Sequence, residues 1–236
     1  MAGGRRERLL GLLDARGGDS ISLLRRVCAL CLAEVSVSGA AVSVRGGTRA
    51  NGNQALVCGT DPLSALLDDL RMTVGEGPSV EAFDSGGPVL VPDLAADGAR
   101  WPGFTSGALA AGIAAVFSFP LQVGVVRVGV LDLYRTTAGP LSRRELTDAL
   151  LLAEIATQAL LDDLRGADPM DVGWLSDIHA VVHQASGIVA VQLRLSMQEA
   201  LLRIRGHAFA HHIPLNEVAR QIVARELRLE TGRIET

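Results

Sequence analysis

Apolar positions from Ser20 onward recur at helical spacing through Ile21, Leu24, Val27, Cys28, Cys31, Leu32 and Val35, with Ser20 placed to cap the start and Gly39 beyond the end. The period then drops to two. Ala41-Val42-Ser43-Val44 alternates as a strand, Gly46-Gly47 turns the chain, and Ala55-Leu56-Val57-Cys58 returns antiparallel. Asp61 as cap and Pro62 in the first turn start a second helix carrying Leu63, Leu66, Leu67 and Leu70 on one side. A turn at Gly75-Glu76-Gly77-Pro78 leads to a brief helix with Val80, Ala82 and Phe83, and Val89-Leu90-Val91 reads as a buried strand. A small-residue helix follows Trp101 and Phe104, then come strands over 113–119 and 125–134. Residues 141–164 hold neither Pro nor Gly, and Leu146, Ala149, Leu150, Ala153, Ala156, Leu160 and Leu164 form one stripe. Charge is sparse outside that stripe, which predicts a helix covered on more than one side, as in a dimer bundle.

Arg165-Gly166-Ala167-Asp168-Pro169 breaks the pattern and marks a hinge. Beyond it, Trp174, Leu175, Ile178, Val181, Val182, Ala185, Ile188, Val189 and Val191 fit one long helix. Ser196 with Glu199 forms a capping box for a second helix, whose apolar set is Met197, Ala200, Leu201, Ile204, Ala208 and Phe209. Pro214 restarts the chain for a third helix with Val218, Ala219, Ile222, Val223 and Leu227 inward. The pattern divides the chain into a leader at 1–19, an α/β (α+β) domain with a central antiparallel sheet at 20–164, a linker at 165–173 and an all-α three-helix domain at 174–236.

Composition narrows the function classes. All 22 cationic residues are Arg, and the net charge of −4 excludes a protein that coats nucleic acid by bulk attraction. Any nucleic-acid contact must be local. The segment from residue 174 holds seven Arg and six acids, and Arg194, Arg203, Arg205, His207, His211, His212, Arg220 and Arg225 can point away from its core. Three Cys do not make a disulfide framework, and with no export signal or membrane-length apolar run the chain reads as cytoplasmic. Cys28 and Cys31 share a helix face with Leu24 and Val27, and Cys58 lies in a strand, so all three read as core. All five His (179, 183, 207, 211 and 212) follow Pro169, which leaves the first domain without His for haem or iron. His179 and His183 are four apart but lack a third ligand, so no metal site is expected. No nucleophile elbow, phosphate loop or zinc-protease motif is present, and no catalytic residue or cofactor is expected. Arg127 and Asp132 fall on a strand and are the charged residues that could face a pocket; alternation can equally turn them to solvent, and the solvent reading is favoured.

The C-terminal order, with Gln184-Ala185-Ser186-Gly187-Ile188-Val189, then Leu195 to Ala200, then Leu215 to Val223, resembles an ANTAR domain. Val74-Gly75-Glu76-Gly77-Pro78, Pro88 to Leu94, Arg100-Trp101-Pro102 and Phe119-Pro120-Leu121 resemble the actinobacterial GAF domains that precede ANTAR domains. The resemblance implies an RNA-binding transcription antitermination regulator: a GAF-like domain for sensing and homodimerisation, through its first and last helices, and a tail that binds paired stem-loops in nascent transcripts. It leaves the GAF ligand open. It implies an RNA-binding set of Gln184, Ala185, Ser186, Gly187, Arg203, Arg205, His207 and Ala219. Relatives usually read Gln-Ala-Lys-Gly where this chain has Gln184-Ala185-Ser186-Gly187, so a cation expected at the RNA surface is missing. The alternative is a protein-interaction or sensor dimer whose tail has lost RNA binding, and a DNA-binding helix-turn-helix lacks a recognition helix with clustered base-reading side chains.

Overall fold

The computed structural model describes residues 2–13, 20–45, 54–166, 180–211 and 213–229. In chain order these form α1 (Ala2–Leu13), α2 (Ser20–Glu34), β1 (Gly39–Arg45), β2 (Gln54–Gly59), α3 (Pro62–Val74), α4 (Pro78–Ser85), β3 (Val89–Val91), α5 (Pro102–Ala110), β4 (Ala115–Val123), β5 (Val126–Arg135), α6 (Arg143–Gly166), α7 (Ala180–Leu193), α8 (Met197–His211) and α9 (Leu215–Val223). The expected Gly46-Gly47 turn, the Pro169 hinge and the positions of Trp174, Leu175 and Ile178 lie outside the described residues.

One antiparallel sheet in the order β2-β1-β5-β4-β3 organises the first domain. Its strands alternate between two unlike faces. Val42, Val44, Phe117, Phe119, Leu131 and Leu133 point to one side, where α2 and α6 cover them with Leu24, Val27, Cys28, Leu152 and Ala156. The opposite face carries α3, α4 and α5 and packs Val116 and Tyr134 against Leu67, Ala82, Trp101, Phe104 and Ala108.

Residues 2–13, set apart as a leader and read as a short helix or a frayed end, are a helix packed on the domain. Leu9 and Leu13 are buried in the α2–α6 core, and Arg5 makes an ion pair with the buried Asp148, its Nη2 lying 2.7 Å from Asp148 Oδ2. The sequence hid this packing because few leucines of a Gly- and Arg-rich segment, Leu9, Leu10 and Leu13, reach the core. Part of the apolar surplus on α6, read as a dimer seam, is thus taken up within the chain by α1. Leu150 of α6 remains exposed. The α6 start at Arg143 has a local cause: Ser142 N–H donates to Glu145 Oε2 at 2.7 Å and Glu145 N–H to Ser142 Oγ at 3.2 Å, a reciprocal capping box.

The three Cys are buried, as their apolar neighbours predict, and Cys28 Sγ lies 3.6 Å from Cys58 Sγ, a proximity that sequence spacing did not show. The hydrogen bond to Cys58 and burial push the Cys28 thiol up, and burial does the same for Cys31, so both are protonated packing groups.

Gly129 sits where β5 pairs with Val44 of β1, and a Cβ there would collide with the Ser43 carbonyl. Gly129→Ala must separate β1 from β5. It is expected to destabilise the protein by about 1–3 kcal/mol, read by chemical denaturation; an unchanged midpoint would show that the strands do not pack this closely.

Candidate nucleic-acid interface and sensor cavity

The last three helices share one small core of Val182, Ala185 and Val189 from α7, Ala200, Ile204 and Ala208 from α8, and Leu215, Val218, Ala219 and Ile222 from α9. α8 starts at the expected capping box, with Ser196 N–H donating to Glu199 Oε2 at 2.8 Å and Glu199 N–H to Ser196 Oγ at 3.2 Å. α9 has buried Leu215, Val218, Ala219 and Ile222 on one side, and Arg220 faces solvent.

This core divides the RNA-binding set implied by the resemblance. Ala185, Ser186 and Ala219 are buried in it and offer no side-chain surface to a ligand. The Ser186 hydroxyl donates to the Val182 carbonyl at 2.8 Å, an i−4 bond inside α7. Ser186 therefore marks a core position, and the missing cation was not one that would have stood free on the surface here. Gln184 is exposed and Gly187 half-buried on the outer side of α7. Arg203 and His207 point to one flank of α8, whereas Arg205, two residues on, points to the other and is half-buried against α3. One element thus cannot present Arg203, Arg205 and His207 together.

Arg203 and His207 border a groove of about 580 Å³ completed by Leu195, Glu199, Leu202, Gly206, Arg228 and Leu229. Arg228 was not singled out from the sequence, although a signal existed. After α9, Leu227 and Leu229 turn inward and Arg228 outward, an alternation of apolar and charged positions. Gln192 Nε2 holds this segment by donating to the Leu229 carbonyl at 3.2 Å. The groove thus has two exposed guanidiniums, an imidazole, and Glu199 engaged in its capping box. The His207 and His211 rings stack with centroids 4.0 Å apart, and burial together with the His211 charge holds His207 below its ordinary value. Phe209, expected in the core, is 55% exposed, because Ile204 and Ala208 already fill the space between helices. Exposed ring faces are therefore present, where the sequence pattern had suggested none.

The first domain holds a second candidate site. Its α3–α5 sheet face carries polar groups where a packed face is usually apolar: Ser43, Ser118 and Asp132 from the strands, opposed by Ser64, Asp68 and Arg71 of α3 and Ser79 of α4. All but Ser118, which bonds Asp132, line a cavity of about 20 Å³, room for one water. Asp132 was expected to face solvent; it faces this cavity instead, since Leu131 and Leu133 must point to the α2–α6 core and the two-residue period sends Asp132 the other way. Burial pushes its carboxyl above the ordinary carboxylate range, against hydroxyl donation from Ser118 and the charge of Arg71. Ser43 Oγ is buried without a hydrogen-bond partner among the described residues. Arg127, by contrast, is exposed as expected.

The turns that carry the GAF resemblance have structural duties. Glu76 Oε1 accepts from the Gly103 N–H at 2.8 Å and so caps α5, and Arg100 pairs with Glu81 while covering the Trp101 ring at 4.4 Å. Among the described residues no group of three metal-ligating side chains converges, and no helix is long and apolar enough to cross a membrane. His183 is exposed, and His179 and His212 lie outside the described residues.

A five-stranded antiparallel sheet with helices on both faces, a buried polar cavity and an appended helical unit define a sensor joined to an output module. The chain belongs to the GAF-domain family, which it matches over residues 19–161, and an ANTAR domain follows at 177–223. ANTAR domains are RNA-binding antitermination modules. The fold is similar to the GAF domain of a phosphoenolpyruvate-protein phosphotransferase from Coxiella burnetii, with TM-score 0.55 at 13% identity, covering 70% of this chain and 95% of that one. The corresponding Acinetobacter domain gives TM-score 0.54 at 9% identity, covering 70% and 96%. Free methionine-R-sulfoxide reductase from Neisseria meningitidis, solved with its substrate, gives 0.50 at 21%, covering 70% and 93%. These likenesses concern the fold alone. No curated protein matches the chain.

Asp132 ionises at greater cost in the folded chain than in the unfolded one, so the fold is more stable below its raised pKa and loses stability as pH climbs from the ordinary 3.8 through that value. Asp132→Asn removes this loss and keeps an acceptor for Ser118. Thermal unfolding is expected to show a variant at least as stable as the parent at neutral pH, with a flatter acid-to-neutral profile. A variant clearly less stable at neutral pH would mean that the ionised carboxylate is needed.

Proposed function

We propose that this protein is a cytoplasmic, non-enzymatic transcription antitermination regulator: a GAF-domain sensor that dimerises and whose ANTAR module binds stem-loops in nascent RNA. The observation that carries the reading is the α8 groove, where Arg203, His207 and Arg228 meet beside open backbone at Gly206. Guanidiniums fork onto phosphate oxygens, and the His207 imidazole offers a ring face on which an unpaired loop base stacks. Function needs no bond made or broken. Holding one RNA fold favours it over the competing terminator, and a dimer that grips two hairpins gains from the second contact being intramolecular.

A local, two-guanidinium footprint agrees with a chain of net charge −4, in which affinity must come from a few placed contacts. The second reading, a tail that docks on protein, draws on the exposed Val191, Leu202 and Phe209.

Titration of the purified chain with a stem-loop RNA at several salt concentrations separates the two. The Arg203→Ala, Arg228→Ala double variant is expected to weaken binding at least ten-fold and to lower the slope of log affinity against log salt by roughly one to two, as two phosphate contacts require. Binding whose affinity and slope ignore both arginines would place the RNA elsewhere. Absence of RNA binding by the parent would favour the protein-docking tail.

A further inference from the structure

The face of the three-helix module opposite the groove is covered by the sensor domain. Met72 of α3 is 2% exposed and lies within the module's own core cluster, with Val182, Ile204 and Val218. Asn216 Nδ2 donates to Asp69 Oδ1 at 2.9 Å. Arg205 lies over the end of α3, its Nη1 only 3.2 Å from where a Cβ on Gly75 would stand.

This contact is poorly matched in charge. Arg205 Nε is buried with no hydrogen-bond partner among the described residues, and the nearest sensor cation, Arg71, repels it. α3 offers the module Asp69, whose carboxylate answers Asn216 and the field of Arg220. Arg220 is paired with Glu217 at 2.7 Å and largely exposed, so the unanswered group at this contact is the buried Arg205 Nε, which a nucleic-acid phosphate would meet and α3 does not.

We propose that Arg205 and Asn216, with the exposed Arg220 at their rim, form a second RNA-phosphate surface whose Arg205–Asn216 part α3 covers in this structure, so that the sensor domain and RNA compete for it. Asp69 stands in for a phosphate. The proposal rests on the RNA reading above and adds its regulation: α3 lines the sensor cavity with Ser64, Asp68 and Arg71 and presents Asp69 and Met72 to the module, so a rearrangement at the cavity is felt at the docked face. RNA held in the open groove by Arg203 and Arg228 would extend onto the second face only after α3 leaves.

The test is stem-loop RNA affinity measured by fluorescence anisotropy on the full chain, comparing the parent with Met72→Glu, Asp69→Ala, Arg205→Ala and Met72→Glu/Arg205→Ala. Met72 points away from the sheet, so a charge there opens the contact while leaving the sensor core intact, and Asp69→Ala removes the stand-in carboxylate more gently. If the docked form holds about nine-tenths of the population, opening it tightens RNA binding by about ten-fold. Arg205→Ala is then expected to change affinity less than about two-fold in the parent and to abolish most of the gain in the Met72→Glu background, a non-additivity that independent sites do not show. Equal affinity for parent, Met72→Glu and Asp69→Ala, with Arg205→Ala silent in both backgrounds, would overturn the proposal. If the groove double variant weakens binding in those same titrations, the RNA reading survives and only the competition is lost; if no form binds RNA, both fall.

Discussion

α3 is gripped on two sides by surfaces of opposite character, and most of what distinguishes this protein follows from that position. Its start is fixed by Asp61, which accepts from the Ser64 N–H at 3.0 Å, from Thr60 Oγ1 at 2.7 Å and from the Tyr134 hydroxyl at 2.6 Å. Burial acts against the Asp61 charge, but these donors outweigh it and hold the carboxyl below its ordinary value. The Tyr134 bond ties the cap to β5, so the helix cannot rotate independently of the sheet. Its other end is closed by Gly75, in the left-handed region at φ 75°, whose N–H returns to the Arg71 carbonyl at 2.8 Å. Between these fixed ends the helical period deals Ser64, Asp68 and Arg71 to the sheet, Leu63, Leu70 and Val74 to the core shared with α5, and Asp69 and Met72 to the C-terminal module.

That arrangement concentrates buried polarity at one place. The sheet face toward α3 carries Asp132 and three hydroxyl-bearing or aromatic polar groups, and the α2–α6 face is uniformly apolar. A polar cavity of one water's volume lies between packed elements, and burial biases its Asp132 toward the neutral form. α3 also covers Arg205. The two domains therefore meet at α3, which packs against α8 and α9.

The regular elements were legible in the sequence wherever apolar periodicity and caps agreed: the Asp61-Pro62 helix start, the Ser196–Glu199 capping box, the hairpin strands and the long α6 stripe all appear where the pattern puts them. What sequence could not show was which side of an amphipathic element another domain would cover. Met72 reads as one more apolar residue on α3, yet it is buried by helices more than a hundred residues later. Phe209 reads as core from the apolar set of its helix, yet it stands exposed while Ile204 and Ala208 fill the core. Carrying a residue set over from the ANTAR resemblance joined positions that three-dimensional packing separates, since Ser186 and Ala219 are interior, Arg203 faces the groove and Arg205 faces the sensor. Asp132 illustrates the converse case. Alternation alone left its side open, and the apolar demand of Leu131 and Leu133 decided it.

The most direct test of this account is amide hydrogen exchange of the unmodified chain, alone and with saturating stem-loop RNA. Without RNA, α3 and α8 are expected to be protected together, since each buries a face of the other. With RNA, α8 should gain protection while the outward-facing amides of α3 lose it and the sheet stays unchanged. Equal protection of α3 in both states, under conditions where RNA is shown to be bound, would contradict the claim that sensor and RNA share one surface.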